Sequence, residues 1–146
     1  MGTIEQQFKA VIADFERDQE DRVKKLLASE SHADLGLLYW VRPAAGDAAK
    51  EQDYRLAIDQ YRLAYDRVPF GDSGRRANFS FQLGQLYDNL RQYDLADSAF
   101  ADAIRLQSDK AQQHVYQQYW DQYRRERPPN GSPTGLRRSW RNTEAQ

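Results

Sequence analysis

Catalysis or metal binding in this 146-residue chain would have to be built from two histidines, 22 carboxylates and no cysteine. His32 and His114 stand far apart, with neither the HxxxH nor the H-E-x-x-H spacing that puts two imidazoles on one helical face, so they read as solvated side chains. The missing cysteines remove disulfides, cysteine zinc sites and thiol nucleophiles together. Gly71-Asp72-Ser73-Gly74 has the glycines of a phosphate loop but no lysine and no preceding strand. Asp94, Asp97 and Asp102 fall at helix starts or on hydrophilic faces, where a carboxylate needs no catalytic explanation. No catalytic residue, metal ligand or cofactor is expected. What remains is recognition of another molecule by side chains that are neither catalytic nor metal-binding.

The elements that must carry such residues are helical. Ile4, Phe8, Val11, Ile12, Phe15, Val23, Leu26 and Leu27 recur at intervals of three and four, predicting an amphipathic helix from Thr3 to about Ala28. Ser31 with Asp34 resembles a capping box that starts a second helix, stopped by Pro43. Asp47 is expected to cap a helix running to Arg67, Ser73 one running to Leu90, Asp94 the next, and Ser108 a last one ending near Arg127. Six helices and no strand follow. Net charge is −1. No apolar run reaches the roughly 18 residues that cross a bilayer, and the first ten residues lack a secretion signal, so a soluble cytoplasmic protein is expected.

Within 77–110, Leu83, Gly84 and Tyr87 share one helical face, and Tyr93, Ala96, Phe100 and Ala103 share a face of the next helix. This spacing resembles the tetratricopeptide repeat, whose unit of about 34 residues runs L-G-x-x-Y and then Y-x-x-A-x-x-x-F-x-x-A. Tyr54, Ala57, Tyr61 and Ala64 repeat the second half of the pattern at a constant offset of 39 residues, and Leu35, Gly36 and Tyr39 repeat the first half. An insertion around Arg42–Lys50 separates those two halves. The resemblance implies an all-α, right-handed α-solenoid of antiparallel helix pairs: an N-terminal helix at 1–30, a degenerate repeat at 31–69, a repeat at 73–108 and a capping helix at 109–127. Gly84 would let two helices approach closely, while the aromatic stripe Tyr116, Tyr119, Trp120 and Tyr123 should face the preceding unit. Cover for the open end of the first unit is expected from the helix at 3–28, which could also fold Phe8, Ile12 and Phe15 across the groove and shut it.

In that family the first helix of each unit lines a concave groove that holds another polypeptide. The groove positions implied here are Leu37, Trp40 and Val41, then Asn78, Phe81, Gln82, Gln85 and Asn89, then His114, Gln117, Gln118, Asp121 and Arg125. Phe81 is expected to be exposed as an apolar anchor; its rival role is to pack on the insertion or the N-terminal helix, and Trp40 is expected to lean toward the core. The basic clamp with which some family members grip a chaperone's C-terminal carboxylate is not matched, since Ala33, Gln82, His114 and Gln118 stand at those places. The resemblance therefore implies a non-catalytic adaptor, scaffold or chaperone-like module holding an uncharged, partly apolar segment.

Residues 128–146 differ in kind. RPPNGSPTG reads as a flexible linker, and Arg137, Arg138, Trp140 and Arg141 form a basic cluster around one aromatic. Disorder is expected there, with the cluster acting as a tethered docking contact to a protein. The alternative function is recruitment to an anionic membrane or nucleic acid through this tail, with the repeats purely structural.

Overall fold

The computed structural model describes residues 3–129. Among them lie five helices and no strand: α1 (Ile4–Val41), α2 (Asp47–Asp66), α3 (Ser73–Asn89), α4 (Tyr93–Leu106) and α5 (Lys110–Glu126). The count is five rather than six because the two helices expected on either side of Ser31 are one. Ser31 sits exposed in mid-helix, and its neighbour Ser29 is buried, donating its hydroxyl to the Ala64 carbonyl at 2.7 Å. A serine and an acidic residue three places on form a capping box only where the chain turns. Here the helix-forming residues run on, and the box lies instead at the true start, where the Thr3 hydroxyl accepts from the Gln6 N–H and the Gln6 side chain accepts from the Thr3 N–H.

The other starts shift by a residue or two. Gly46 precedes α2 at a φ of 113°, the Asp72 carboxylate accepts from the Arg75 N–H ahead of α3, Gln92 precedes α4, and Asp109 accepts from the N–H groups of Ala111 and Gln112 ahead of α5. Between α3 and α4 the chain reverses through Arg91 at φ 59°, with Arg91 N–H bonded to the Asp88 carbonyl and Gln92 N–H to that of Tyr87. These two bonds form a Schellman close of α3.

Each helix packs antiparallel on the one before it. Tyr54, Ala57, Ile58, Tyr61 and Ala64 of α2 form the centre of one hydrophobic cluster, with Ala33 of α1 and Phe79, Leu83 and Leu86 of α3 against it. The α1–α2 and α3–α4 crossings use equivalent residues. A Cβ on Gly36 would lie 3.0 Å from the Tyr61 ring, and one on Gly84 would lie 2.8 Å from Phe100 Cδ1. Both rings are buried, and both crossings exist because glycine leaves room for a ring.

The 42–50 connection is tied down. Lys50 is buried with its ammonium donating to the carbonyls of Trp40 and Arg42 at 2.7 and 2.8 Å, which caps the end of α1 from the next helix. Arg42 forms a two-toothed pair with Asp53 at 2.5 and 3.0 Å. That hydrogen bonding holds the Asp53 carboxyl below its ordinary range.

The aromatic stripe of α5 turns inward. Tyr116 stacks on Phe81, Trp120 stacks on Phe100, and the Trp120 indole N–H donates to Asp97 at 2.8 Å. The N-terminal half of α1 does the opposite of what was expected. Arg22 is its first residue to reach the body, through a hydrogen bond to the Phe70 carbonyl. Residues 4–25 lie exposed and neither cover the first helix pair nor fold across any groove.

Candidate functional site

The candidate site follows from how α3 distributes its faces. Phe79, Leu83, Leu86 and Leu90 face the α2 cluster. Ala77, Phe81, Gly84 and Asp88 face α4 and α5, through the Ala103–Tyr116 cluster, the Phe100 ring and Arg127. The Ser80 hydroxyl donates to the Ala99 carbonyl at 2.8 Å. What is left is Asn78, Gln82, Gln85 and Asn89, spaced four, three and four residues apart and so aligned in one row. Four side-chain amides in a row are the polar face of this helix.

Two of these amides are unsatisfied. Gln82 Oε1 and Asn89 Oδ1 are buried oxygens without a hydrogen-bond partner. Asn89 is buried as a residue, Gln82 and Gln85 are half-buried and Asn78 is exposed. A buried carbonyl oxygen left unpaired costs about 1–3 kcal/mol, a penalty the free protein carries at these two places.

The residues expected to line this site divide. Leu37 and Val41 on α1 are exposed, as are His114, Gln118 and Arg125 on α5. Phe81 is not an exposed anchor, nor does it pack on the insertion or on α1. Its ring lies 4.4 Å from that of Tyr116 and within 6 Å of those of Tyr119 and Phe100, because it points from α3 toward α4 and α5 rather than outward. Trp40 leaves the groove list for the same kind of reason: half-buried, it meets the Tyr61 ring edge-on at 6.1 Å. Asp121 accepts from Gln117 and Arg124. Those hydrogen bonds hold its carboxyl below the ordinary range. The basic cluster Arg137, Arg138, Trp140 and Arg141 lies outside the described residues.

Glu30 and Asp34 were missed. The offset of 48 residues that carries Leu35, Gly36 and Tyr39 onto Leu83, Gly84 and Tyr87 also carries Glu30, Asp34, Leu37 and Val41 onto Asn78, Gln82, Gln85 and Asn89. The structure joins the two rows through an ion pair between Glu30 on α1 and Arg75 on α3. Glu30 is thereby held at the start of α3, one turn before Asn78.

Arg127, expected as the last residue of the capping helix, is its C-cap and also a bolt. Its guanidinium bonds Asp88 at 2.6 Å and Asp97 at 2.7 Å and lies 4.6 Å from the centre of the Tyr93 ring. Burial pushes the Asp97 carboxyl up, but hydrogen bonds from Arg127 and Trp120 outweigh it and hold that group below its usual range. The ends of α3 and α5 are pinned to the start of α4 in this way.

His32 pairs with the Gln60 side chain at 2.8 Å across the α1–α2 contact, at the place where Ser80 bonds α4 in the second pair. Among the described residues no group of three His, Asp or Glu is placed to hold a metal ion, and no helix is long and apolar enough to cross a membrane. No family model, curated protein or solved structure matches the chain.

Proposed function

We propose that the chain is a non-catalytic protein–protein interaction module, an adaptor or scaffold of tetratricopeptide type, whose first-of-pair helices α1, α3 and α5 line a concave groove in a right-handed array. The amide row of α3 holds a partner segment there. The observation that carries this reading is the amide row itself, aligned on one face of α3 with Asn78 exposed and Gln82 and Gln85 half-buried, which this reading sets beside the exposed Leu37 and Val41 of α1 and Gln118 and Arg125 of α5. A partner with N–H donors along one edge and a small apolar side chain along another fits that lining. An array of side-chain amides pairs with a peptide more readily than it activates a nucleophile. The carboxylates drawn below their ordinary range, Asp53, Asp97 and Asp121, are each engaged by an arginine, which supports structural work for them and no cofactor chemistry.

The test is selection from a random peptide display library against the full chain, repeated with Gln82→Ala/Gln85→Ala. Peptides enriched by the native protein should be lost by the variant at unchanged helicity and with no fall in melting temperature, and their binding should weaken little with added salt. Peptides that bind both proteins equally would move the site elsewhere. Steeply salt-sensitive binding would place recognition on the basic tail instead.

A further inference from the structure

α3 and α5 are equally long, yet eight of the 17 residues of α3 are buried and Tyr116 alone of the 17 in α5. What α5 does cover is apolar. Tyr116 packs with Ala77 and Ala103 and stacks on Phe81 at 4.4 Å, while the rings of Trp120 and Tyr123 lie 6.1 and 5.6 Å from that of Phe100.

The helix holds itself together largely without the body. The Asp109 carboxylate caps its start, Gln117 and Arg124 donate to Asp121, Gln122 donates to Glu126, and the Arg124 guanidinium lies over the Trp120 ring at 4.3 Å. None of these contacts reaches another helix, so all of them survive if α5 moves as a unit.

Its polar ties to the body fall in two places. At the start, Gln113 donates to the carbonyls of Ile104 and Gln107, beside the linker 107–109 that joins α4 to α5. Toward the far end, Trp120 donates to Asp97, and the Arg127 guanidinium bonds both Asp88 and Asp97 and lies against the Tyr93 ring. The helix between linker and Arg127 is a lever of about 25 Å, so a rotation of about 10° at the linker moves Arg127 by roughly 4 Å, enough to break its bonds.

We propose that α5 is a hinged lid: it swings as one helix about 107–109 while α1–α4 stay folded, uncovering Phe81, Phe100 and Ala103, and Arg127 is the latch that holds it shut. Segments with few buried apolar contacts open locally at a lower free energy than the core. The latch sits where it decides the equilibrium. The Arg127 side chain is 14% exposed and that of Asp88 2% in the closed form, so closure depends on the fork of bonds between them, and opening returns both charges to water. α1, the other terminal helix, is tied along its contact with α2 instead, by Ser29 on the Ala64 carbonyl, Lys50 on the Trp40 and Arg42 carbonyls, and Arg42 on Asp53.

Native-state hydrogen exchange of the full chain in low urea reads the lid amide by amide. Amides 114–126 of α5 should exchange together, faster than amides 54–61 of α2 and with a smaller urea slope, as a partial opening requires. Variants separate lid from body. Lys50→Met loosens the α1–α2 join, so it should speed exchange in α2 severalfold and leave α5 at the native rate. Arg127→Ala should speed α5 about a hundredfold, and Arg127→Lys, which keeps the charge and loses the fork, should fall between. Amides of α5 that share the rate and urea slope of α2, or that respond to Lys50→Met by the same factor as α2, would overturn the lid. An α5 whose exchange is unmoved by Arg127→Ala would overturn the latch.

Discussion

Replacing Gly84 by alanine sets two effects of opposite sign against each other. Helix propensity alone makes the change favourable by about 1 kcal/mol, because glycine in a helix interior costs that much relative to alanine. The crossing opposes it. A Cβ at position 84 would lie 2.8 Å from Phe100 Cδ1 and 2.9 Å from Cγ and Cε1, where ordinary contact begins near 3.4 Å, so the ring must retreat by several tenths of an ångström. It has nowhere to go. Phe100 is fully buried, with the rings of Phe81, Tyr123 and Trp120 centred 5.8, 5.6 and 6.1 Å away. Overpacking of a filled core costs about 1–3 kcal/mol, and contacts under 3.0 Å on a ring boxed in by three others belong to the upper part of that range, leaving a net loss of roughly 1–2 kcal/mol and a melting temperature lower by about 3–8 °C. Differential scanning calorimetry with urea titration measures it. Phe100→Leu in the Gly84→Ala background should recover part of the loss as a coupling of about 1 kcal/mol, since the two changes act on one contact. A Gly84→Ala protein melting at or above the native temperature would refute the close crossing.

Gly36→Ala is the milder counterpart: its Cβ would meet Tyr61 ring atoms at 3.0 Å, so overpacking and propensity should cancel to within about 1 kcal/mol in the same urea titrations. Lys50→Met should cost about 1–3 kcal/mol by stripping the donors from the Trp40 and Arg42 carbonyls, read as a lower urea midpoint at constant slope. Arg127→Ala leaves Asp88 without its arginine and should cost on the order of 3 kcal/mol at neutral pH. The Asp97 carboxyl is held low in the folded state, so its stabilisation is full above the ordinary carboxylate range and disappears as pH falls through the folded value; Asp97→Asn should flatten that acid limb. At the other extreme, burial, with a smaller push from Asp34, raises the Tyr61 hydroxyl to about 12. Its contribution is present below the unfolded value of about 10 and is lost as pH rises toward 12, so Tyr61→Phe should flatten the alkaline limb of a stability–pH profile.

The helix pairs were legible because their spacing is a packing constraint repeated twice. The offset that links Tyr61 to Phe100 and the L-G-x-x-Y spacing around Gly36 and Gly84 mark ring-over-glycine contacts, and the structure shows both. The errors arose where a local signal was read without the partner that decides it. Ser31 has the sequence of a cap, yet caps act only where the chain leaves helical geometry, and Ser29 is instead spent on the Ala64 carbonyl inside a continuous helix. Phe81 was assigned outward by analogy of position, whereas a large ring goes where other rings are, and Tyr116 and Tyr119 arrive from an element some thirty-five residues later in the chain. Arg127 was placed at the end of the last helix with no role beyond that, although its guanidinium is the group that balances Asp88 and Asp97. Charge pairing of that kind has no sequence period to reveal it. The seam of α1 does have one: Leu26, Ser29, Ala33 and Gly36 recur at intervals of three and four, and apolar residues return at Phe15, Val11, Phe8 and Ile4 only beyond the polar run 16–22.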